Sequence, residues 1–149
     1  MKINKQCYLP LLGLLAISSV CITGCHNNES INESDIYFPV TKEALVDYPV
    51  SLTQGTLIFD GKYLLIRRGF LFFGTDTLAI WPYGYSVNVE GGEIQVLNES
   101  SQVVARVGDI IKMGGGETTK EVVEENYIGE SLPDDCEGPY WLVSEVVDD

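Results

Sequence analysis

Histidine is almost absent from this chain. The 149 residues contain a single one, His26, which lies before the part of the chain that we expect to fold, in a stretch that we interpret as solvated. A Ser-His-Asp triad or a Cys-His pair needs an imidazole beside its nucleophile. A domain without histidine cannot assemble either arrangement, so hydrolases of those two classes are excluded.

Basic residues are scarce as well. The chain holds 9 lysines and arginines against 22 aspartates and glutamates, and its formal net charge at pH 7 is −13. A surface with this balance repels the phosphates of nucleic acids and anionic lipid head groups. The composition therefore predicts no nucleic-acid partner. Attachment to a membrane would need an interaction other than electrostatic attraction to the head groups.

A hydrophobic run long enough to cross a bilayer is also missing. The apolar stretch from Tyr8 to Ile22 is interrupted by Pro10, whereas a membrane-spanning helix needs about 20 apolar residues. Lys2 and Lys5 precede this stretch, and basic residues followed by a short apolar run are typical of a secretory signal. The alternative interpretation of this stretch is a buried helix that opens a globular domain, but such helices are usually amphipathic.

The apolar stretch ends in Ile22-Thr23-Gly24-Cys25. These four residues resemble a bacterial lipobox, although Ile22 replaces the more typical Leu and Thr23 replaces Ala or Ser. The resemblance covers residues 1–25 and implies that the thiol of Cys25 receives a diacylglyceryl group and that the chain is cut before it. It implies a lipoprotein anchored on the extracytoplasmic face of a bacterial membrane, and more than one acyl chain is needed for stable anchoring.

This resemblance changes the meaning of the four cysteines, which in a secreted chain would suggest disulfides. Cys7 and Cys21 leave with the signal and Cys25 becomes a thioether, so Cys136 alone keeps a thiol. Cys136 then has no partner for an intramolecular disulfide or for a Cys/His zinc site, and a disulfide with another molecule stays open. The acidic residues on either side raise its pKa through like-charge repulsion, so we interpret it as a packed or surface thiol instead of a nucleophile.

The chain divides into a signal peptide at 1–24, a lipid anchor and flexible tether at 25–50, and a β domain at 51–149. Residues 26–35 are polar and lack a periodic apolar face, as flexible tethers do. From about Thr53, short strands alternate with turn signals at spacings of about 8 to 12 residues, which is typical of a sandwich or barrel. We predict a mainly β fold, a small antiparallel β-barrel or meander (OB-like), with one short helix.

The turn signals place the individual elements. Asp60-Gly61 and Gly91-Gly92 are hairpin dipeptides, and Thr118 with Glu121 fits a capping box for a helix at 120–127. The glycines at 114–116 are expected to end a strand; they lack the GxxxxGK[ST] spacing of a phosphate loop. The predicted strands lie at 56–59, 62–67, 70–73, 78–81, 85–89, 93–97, 102–107, 110–113 and 140–147.

Carboxylates are abundant between Glu117 and Glu137. Calcium loops need an ordered D-x-[DN]-x-[DN]-G spacing that is missing here, so we interpret these residues as a solvated acidic face. Two carboxylates that converge in space for acid–base catalysis remain possible, because such pairs are not adjacent in sequence. We predict no metal and no cofactor.

Aromatic residues cluster at 81–85 and at 139–141, each time beside a proline near a strand end. A platform on which a ligand stacks is one interpretation, and core packing is the other, since a small domain needs its large side chains for stability. As ligand-binding residues we predict Trp81, Tyr83 and Trp141.

A second resemblance covers about residues 55–146. The stretches GTLIFDGKYLLI, WPYGYS, VARVGDIIKMGGG and CEGPYW resemble a recurring pattern of small uncharacterised bacterial secreted β domains. The resemblance implies that the glycines and aromatics are structural, and it points to no particular activity. We therefore expect a non-catalytic binding or interaction module of the cell envelope, attached to the membrane through Cys25, with an unknown protein or small-molecule ligand. The alternatives are an envelope glycan hydrolase with paired carboxylates and a structural envelope component.

Overall fold

The computed structural model describes residues 31–44, 51–69, 74–129 and 131–147. Within these residues, eight strands form two sheets, accompanied by a 3₁₀ turn (Glu33–Asp35) and by one short helical segment after the seventh strand, so the predicted mainly β class is confirmed. The strands are β1 (Ser51–Phe59), β2 (Leu64–Arg68), β3 (Thr75–Ile80), β4 (Ser86–Glu90), β5 (Glu93–Leu97), β6 (Val103–Arg106), β7 (Ile110–Thr118) and β8 (Tyr140–Val147).

The first sheet contains five strands, each of which pairs with two others. The order β1, β2, β3, β8, β7 returns to β1. Four pairings are antiparallel, but β3 and β8 run parallel, with Leu78 opposite Tyr140. The antiparallel prediction fails at this pair because a long connection separates the two strands, and only such a crossover permits parallel pairing.

Both faces of this parallel pair are buried, as is usual for parallel strands. Alternate side chains enter two hydrophobic clusters. Ala79 and Val143 belong to the first cluster, whereas Leu78 and Leu142 belong to the second. This explains why the sequences around 78–81 and 140–143 are continuously apolar instead of alternating.

The two clusters lie on opposite sides of the first sheet. The first joins inward-facing residues of all five strands to Ile94 and Val96 of β5 and Ala105 of β6, so the second sheet, ordered β4, β5, β6, packs against the same core. The second cluster is completed by the helical segment and the loop before β8, through Val123 and Leu132.

The helical segment begins as α1 (Lys120–Val122) and continues as a π-helical turn (Val123–Ile128). This confirms the position of the predicted helix, but its cap lies one residue later than expected. The hydroxyl of Thr119 accepts a hydrogen bond from the amide of Val122 at 3.5 Å, because Thr118 is still the last residue of β7.

The prediction that the strand ends at glycines 114–116 is wrong, because β7 runs through them to Thr118. A Cβ on Gly114 would lie 2.5 Å from Oγ of Ser144, and a Cβ on Gly115 would lie 2.8 Å from Nε1 of Trp141. These glycines therefore allow β7 to approach β8 closely, at a register shift between Gly114 and Gly115.

The predicted hairpins form as expected. The β4–β5 turn uses Gly91 (φ 62°) and Gly92 (φ 85°), and in the β1–β2 turn the Asp60 carboxylate accepts hydrogen bonds from the amides of Lys62 and Tyr63 at 2.9 and 2.7 Å. The strand predicted at 70–73 lies outside the described residues.

Part of the chain that we assigned to the tether packs against the domain. Ile36 is buried, Tyr37 forms a bridge with Tyr63, and Val40 forms one with Trp81. The packed chain therefore begins before residue 51. The signal and lipobox lie outside the described residues, and within the described part no helix is long and apolar enough to cross a membrane.

Candidate functional site

Two of the three predicted ligand-binding residues lie in the core. Trp81 is fully buried, and its ring stacks on Phe38 at a centroid distance of 5.3 Å and on Tyr85 at 6.2 Å. Trp141 is buried as well, and its indole N–H donates to the carbonyl of Gly114 at 3.5 Å. These positions match the core-packing interpretation, and neither ring offers a free face to a ligand.

Tyr83 is the member of the predicted site that faces solvent, with 55% of its surface exposed. It lies in the connection between β3 and β4, immediately after buried Trp81 and Pro82. The structure thus does not bring the three predicted residues to one surface. A ligand contact at Tyr83 stays a prediction.

A groove that the sequence did not reveal lies on β2 and β3, and we call it the β2–β3 groove. Its volume is about 190 Å³. Leu65 and Leu78 form its floor, and the β1–β2 turn and the loop before β8 form its walls. The lining residues are Asp60, Tyr63, Leu65, Asp76, Leu78, Asp135, Cys136, Glu137 and Gly138.

Hydrogen bonds hold the two walls of this groove together. Nζ of Lys62 donates to both carboxylate oxygens of Asp135, at 2.8 and 2.7 Å, and the hydroxyl of Tyr63 donates to the same carboxylate at 2.6 Å. The ring of Tyr37 meets that of Tyr63 edge-on, with centroids 5.6 Å apart. The β1–β2 turn and the loop before β8 are therefore fixed relative to each other.

Two carboxylates of the groove have lowered pKa values. The hydrogen bonds from Lys62 lower the pKa of Asp135, and two hydrogen bonds from Arg67, at 2.7 and 2.6 Å, lower that of Asp76. Both groups are therefore negatively charged at neutral pH. A glycosidase general acid needs a raised pKa, and neither Asp76 nor Asp135 supplies one.

Cys136 is buried in the loop before β8 and lines the groove. Its pKa is raised, as predicted, but the main cause is burial, and charge repulsion from Asp135 is a smaller one. Its carbonyl accepts a hydrogen bond from the hydroxyl of Tyr140 at 2.6 Å, and burial is the main cause that raises the pKa of Tyr140 to about 12. These features fit a packed thiol.

Among the described residues, no group of His, Cys, Asp or Glu side chains is arranged to hold a metal ion.

A second groove surrounds Tyr83, and we call it the Tyr83 groove. Its volume is about 340 Å³. The β3–β4 connection and the turn between β5 and β6 form its walls, and β8 contributes one serine. The lining residues are Ala44, Pro82, Tyr83, Tyr85, Asn98, Glu99, Ser100 and Ser144.

Comparisons with protein-family models, with curated proteins and with solved structures find no match for this chain. The geometry and chemistry of the two grooves therefore carry the functional inference.

Proposed function

We propose that this protein is a lipoprotein, anchored through Cys25 on the extracytoplasmic face of a bacterial membrane, whose domain binds a ligand without catalysis. Support for the anchor comes from the sequence: Lys2 and Lys5, the short apolar stretch, and the lipobox-like residues that end at Cys25. The low pKa values of Asp76 and Asp135 favour binding over acid catalysis.

The first sheet is, in this proposal, a small OB-like barrel. The pairing order β1, β2, β3, β8, β7 with return to β1 supports it. OB-folds are five-stranded Greek-key barrels that bind ligands on the face of strands 2 and 3 and with the loops that follow strands 1 and 4. The corresponding parts of this chain are β2, β3, the β1–β2 turn and the loop between β7 and β8.

The observation that carries the proposal is the position of the β2–β3 groove, which lies where these four parts meet. Four carboxylates line the groove, and the two neighbouring cations, Lys62 and Arg67, already pair with two of them. The remaining negative charge attracts cations and repels phosphates. The ligand we propose is therefore an amine- or guanidinium-bearing group, such as a basic side chain of a partner protein.

A binding titration tests this groove. The purified chain in detergent is titrated with hexalysine and with hexaglutamate by calorimetry, and we expect binding of hexalysine alone. Glu137→Gln at the groove should weaken that binding several-fold, because it removes one of the charges that attract the amine. Glu125→Gln is the matched control, since Glu125 is an exposed carboxylate of the helical segment that does not line the groove.

The outcomes separate the alternatives. Equal weakening by the two substitutions would mean that hexalysine binding depends only on the net charge of the protein. Absence of hexalysine binding to the wild type would contradict the proposed ligand class. An unchanged melting temperature of both variants shows that the fold is intact.

Metabolic labelling with a fatty acid tests the anchor. The wild-type chain and Cys21→Ala should carry the label, because Cys21 precedes the cleavage site, whereas Cys25→Ala should carry none. Equal labelling of Cys25→Ala would contradict lipidation at this residue.

A further inference from the structure

The Tyr83 groove is a separate concavity, and it shares no lining residue with the β2–β3 groove. Its volume of about 340 Å³ lies at the lower end of the range of small-molecule sites, about 300–1,000 Å³. Its size therefore suits a small ligand of one or two rings.

The β3–β4 connection, which carries Tyr83, is held in place by a backbone hydrogen bond and by ring stacking on the core. The amide of Tyr85 donates to the carbonyl of Pro82 at 3.1 Å, and Gly84 between them adopts a φ of 83°. The ring of Tyr85 stacks on buried Trp81. The exposed ring of Tyr83 is thus presented by a turn that is attached to the core.

The opposite wall is the turn between β5 and β6. The side-chain carbonyl of Asn98 accepts hydrogen bonds from the amides of Ser100 and Gln102, both at 3.0 Å. The two walls approach closely, because a Cβ on Gly84 would lie 3.0 Å from the Cβ of Glu99. The groove is therefore preformed, which lowers the entropic cost of binding a ligand.

The groove combines an aromatic face with polar side-chain groups that make no hydrogen bond to other described side chains. Tyr83 presents its ring, and within the described part of the chain no side-chain hydrogen bond involves its hydroxyl, the hydroxyls of Ser100 and Ser144, or the carboxylate of Glu99. Hydroxyl groups donate and accept hydrogen bonds, and a carboxylate accepts them. Among the described residues that line the groove there is no lysine or arginine, so an anionic ligand would face Glu99 without compensation from them.

These features match the chemistry of a sugar ring, which has apolar C–H faces and a rim of hydroxyl groups. We propose that the Tyr83 groove is a second binding site that takes a neutral saccharide, with one sugar face against Tyr83 and its hydroxyls hydrogen-bonded to Glu99, Ser100 and Ser144. An uncharged mono- or disaccharide fits the groove's volume and charge, and an acidic sugar is disfavoured by Glu99. The site does not depend on the proposed function of the β2–β3 groove.

Ligand-observed NMR on the full chain in detergent tests this site, with maltose and N,N′-diacetylchitobiose as neutral probes and glucuronic acid as the acidic probe. We expect at least one neutral probe to bind and the acidic probe to fail. Tyr83→Ala should weaken binding roughly tenfold through loss of the aromatic face, whereas Tyr83→Phe keeps the ring and should retain most of the affinity.

Ile110→Ala is the control, because Ile110 is an exposed apolar side chain that does not line the groove, with 68% of its surface accessible. Glu99→Gln should bind glucuronic acid, because it removes the carboxylate that repels this probe.

Failure of both neutral probes to bind, or equal binding by the wild type and a folded Tyr83→Ala, would overturn the proposal. Hexalysine binding by Tyr83→Ala should stay at the wild-type level, so the proposals for the two grooves are tested independently.

Discussion

The ammonium group of Lys62 lies 2.7 Å from a carboxylate oxygen of Asp135, although 73 positions separate the two residues. The pair joins the turn after β1 to the loop before β8 at the edge of the β2–β3 groove. Both side chains are largely exposed, at 48% and 62%, so the pair contributes little to stability. Its consequence is local: it fixes the position of the Asp135 carboxylate, lowers its pKa and compensates part of its negative charge.

Replacement of Lys62 tests this relationship. In Lys62→Met we expect the pKa of Asp135 to rise toward its ordinary value, because the hydrogen bonds from Lys62 are the main cause that lowers it. Carboxyl NMR over a pH titration measures this shift. The melting temperature should change little, and hexalysine should bind more tightly, because the groove loses a positive charge.

Lys42→Met is the control for net charge, since Lys42 is an exposed lysine that does not line the groove. An equal shift of the Asp135 pKa in both variants would mean that the local hydrogen bonds do not govern this carboxylate.

The hydroxyl of Tyr140 makes a second testable contact, since it donates to the buried carbonyl of Cys136. Tyr140→Phe should cost about 1 kcal/mol of unfolding free energy at pH 7, the net value of such a bond. The pKa of Tyr140 is raised to about 12, above its ordinary value of about 10. A raised pKa in the folded state contributes stability that is complete below pH 10 and is lost as the pH rises through about 12.

Urea unfolding between pH 9 and pH 12 checks this sign. The wild type should lose stability over the alkaline part of this range, and Tyr140→Phe should lose less, because the group that ionises is gone. Tyr83→Phe is the control, since Tyr83 is exposed. Parallel alkaline losses in the wild type and Tyr140→Phe would contradict this assignment.

Gly115 is a position where two constraints act together. Its φ is 142°, and a Cβ there would lie 2.8 Å from Nε1 of Trp141 and closer still to the carbonyl of Leu142. Gly115→Ala should therefore cost about 2–4 kcal/mol of unfolding free energy, from backbone strain and overpacking together.

Gly108→Ala separates these two terms. Gly108 also has a positive φ, 101°, but nothing lies within 4 Å of a Cβ placed there. We expect a loss of about 1 kcal/mol from strain alone, measured by the same denaturant titration. Equal losses at the two positions would mean that β7 does not need its glycine to approach β8.

Local patterns in the sequence predicted the hairpins, the helical segment and the strand at 140–147, because each depends on neighbours along the chain. The parallel pairing of β3 with β8 and the contact between Lys62 and Asp135 join residues that are far apart in sequence. A single sequence does not show which distant residues come together. Glycines 114–116 show the same limit: glycine serves turns and close strand approach alike, and only the neighbouring strand distinguishes them.

The aromatic cluster illustrates a related limit. Trp81 and Tyr83 are two positions apart, and the sequence offers both as ligand contacts, yet one is fully buried and the other is exposed. The difference arises because Trp81 continues β3 through its bridge to Val40, whereas Tyr83 follows Pro82 into a turn.

Paired substitutions test this division of roles. Trp81→Ala should cost about 3–5 kcal/mol, as expected for a large buried aromatic side chain, whereas Tyr83→Ala should change the unfolding free energy by less than about 0.5 kcal/mol. Trp81→Phe should cost less than Trp81→Ala, because it keeps an aromatic ring between Phe38 and Tyr85. It also removes a buried indole N–H that has no hydrogen-bond partner within the described residues. Similar losses for Trp81→Ala and Tyr83→Ala in a denaturant titration would mean that the stacked rings do not anchor the Tyr83 turn to the core, and the preformed wall of the Tyr83 groove would lose its physical basis.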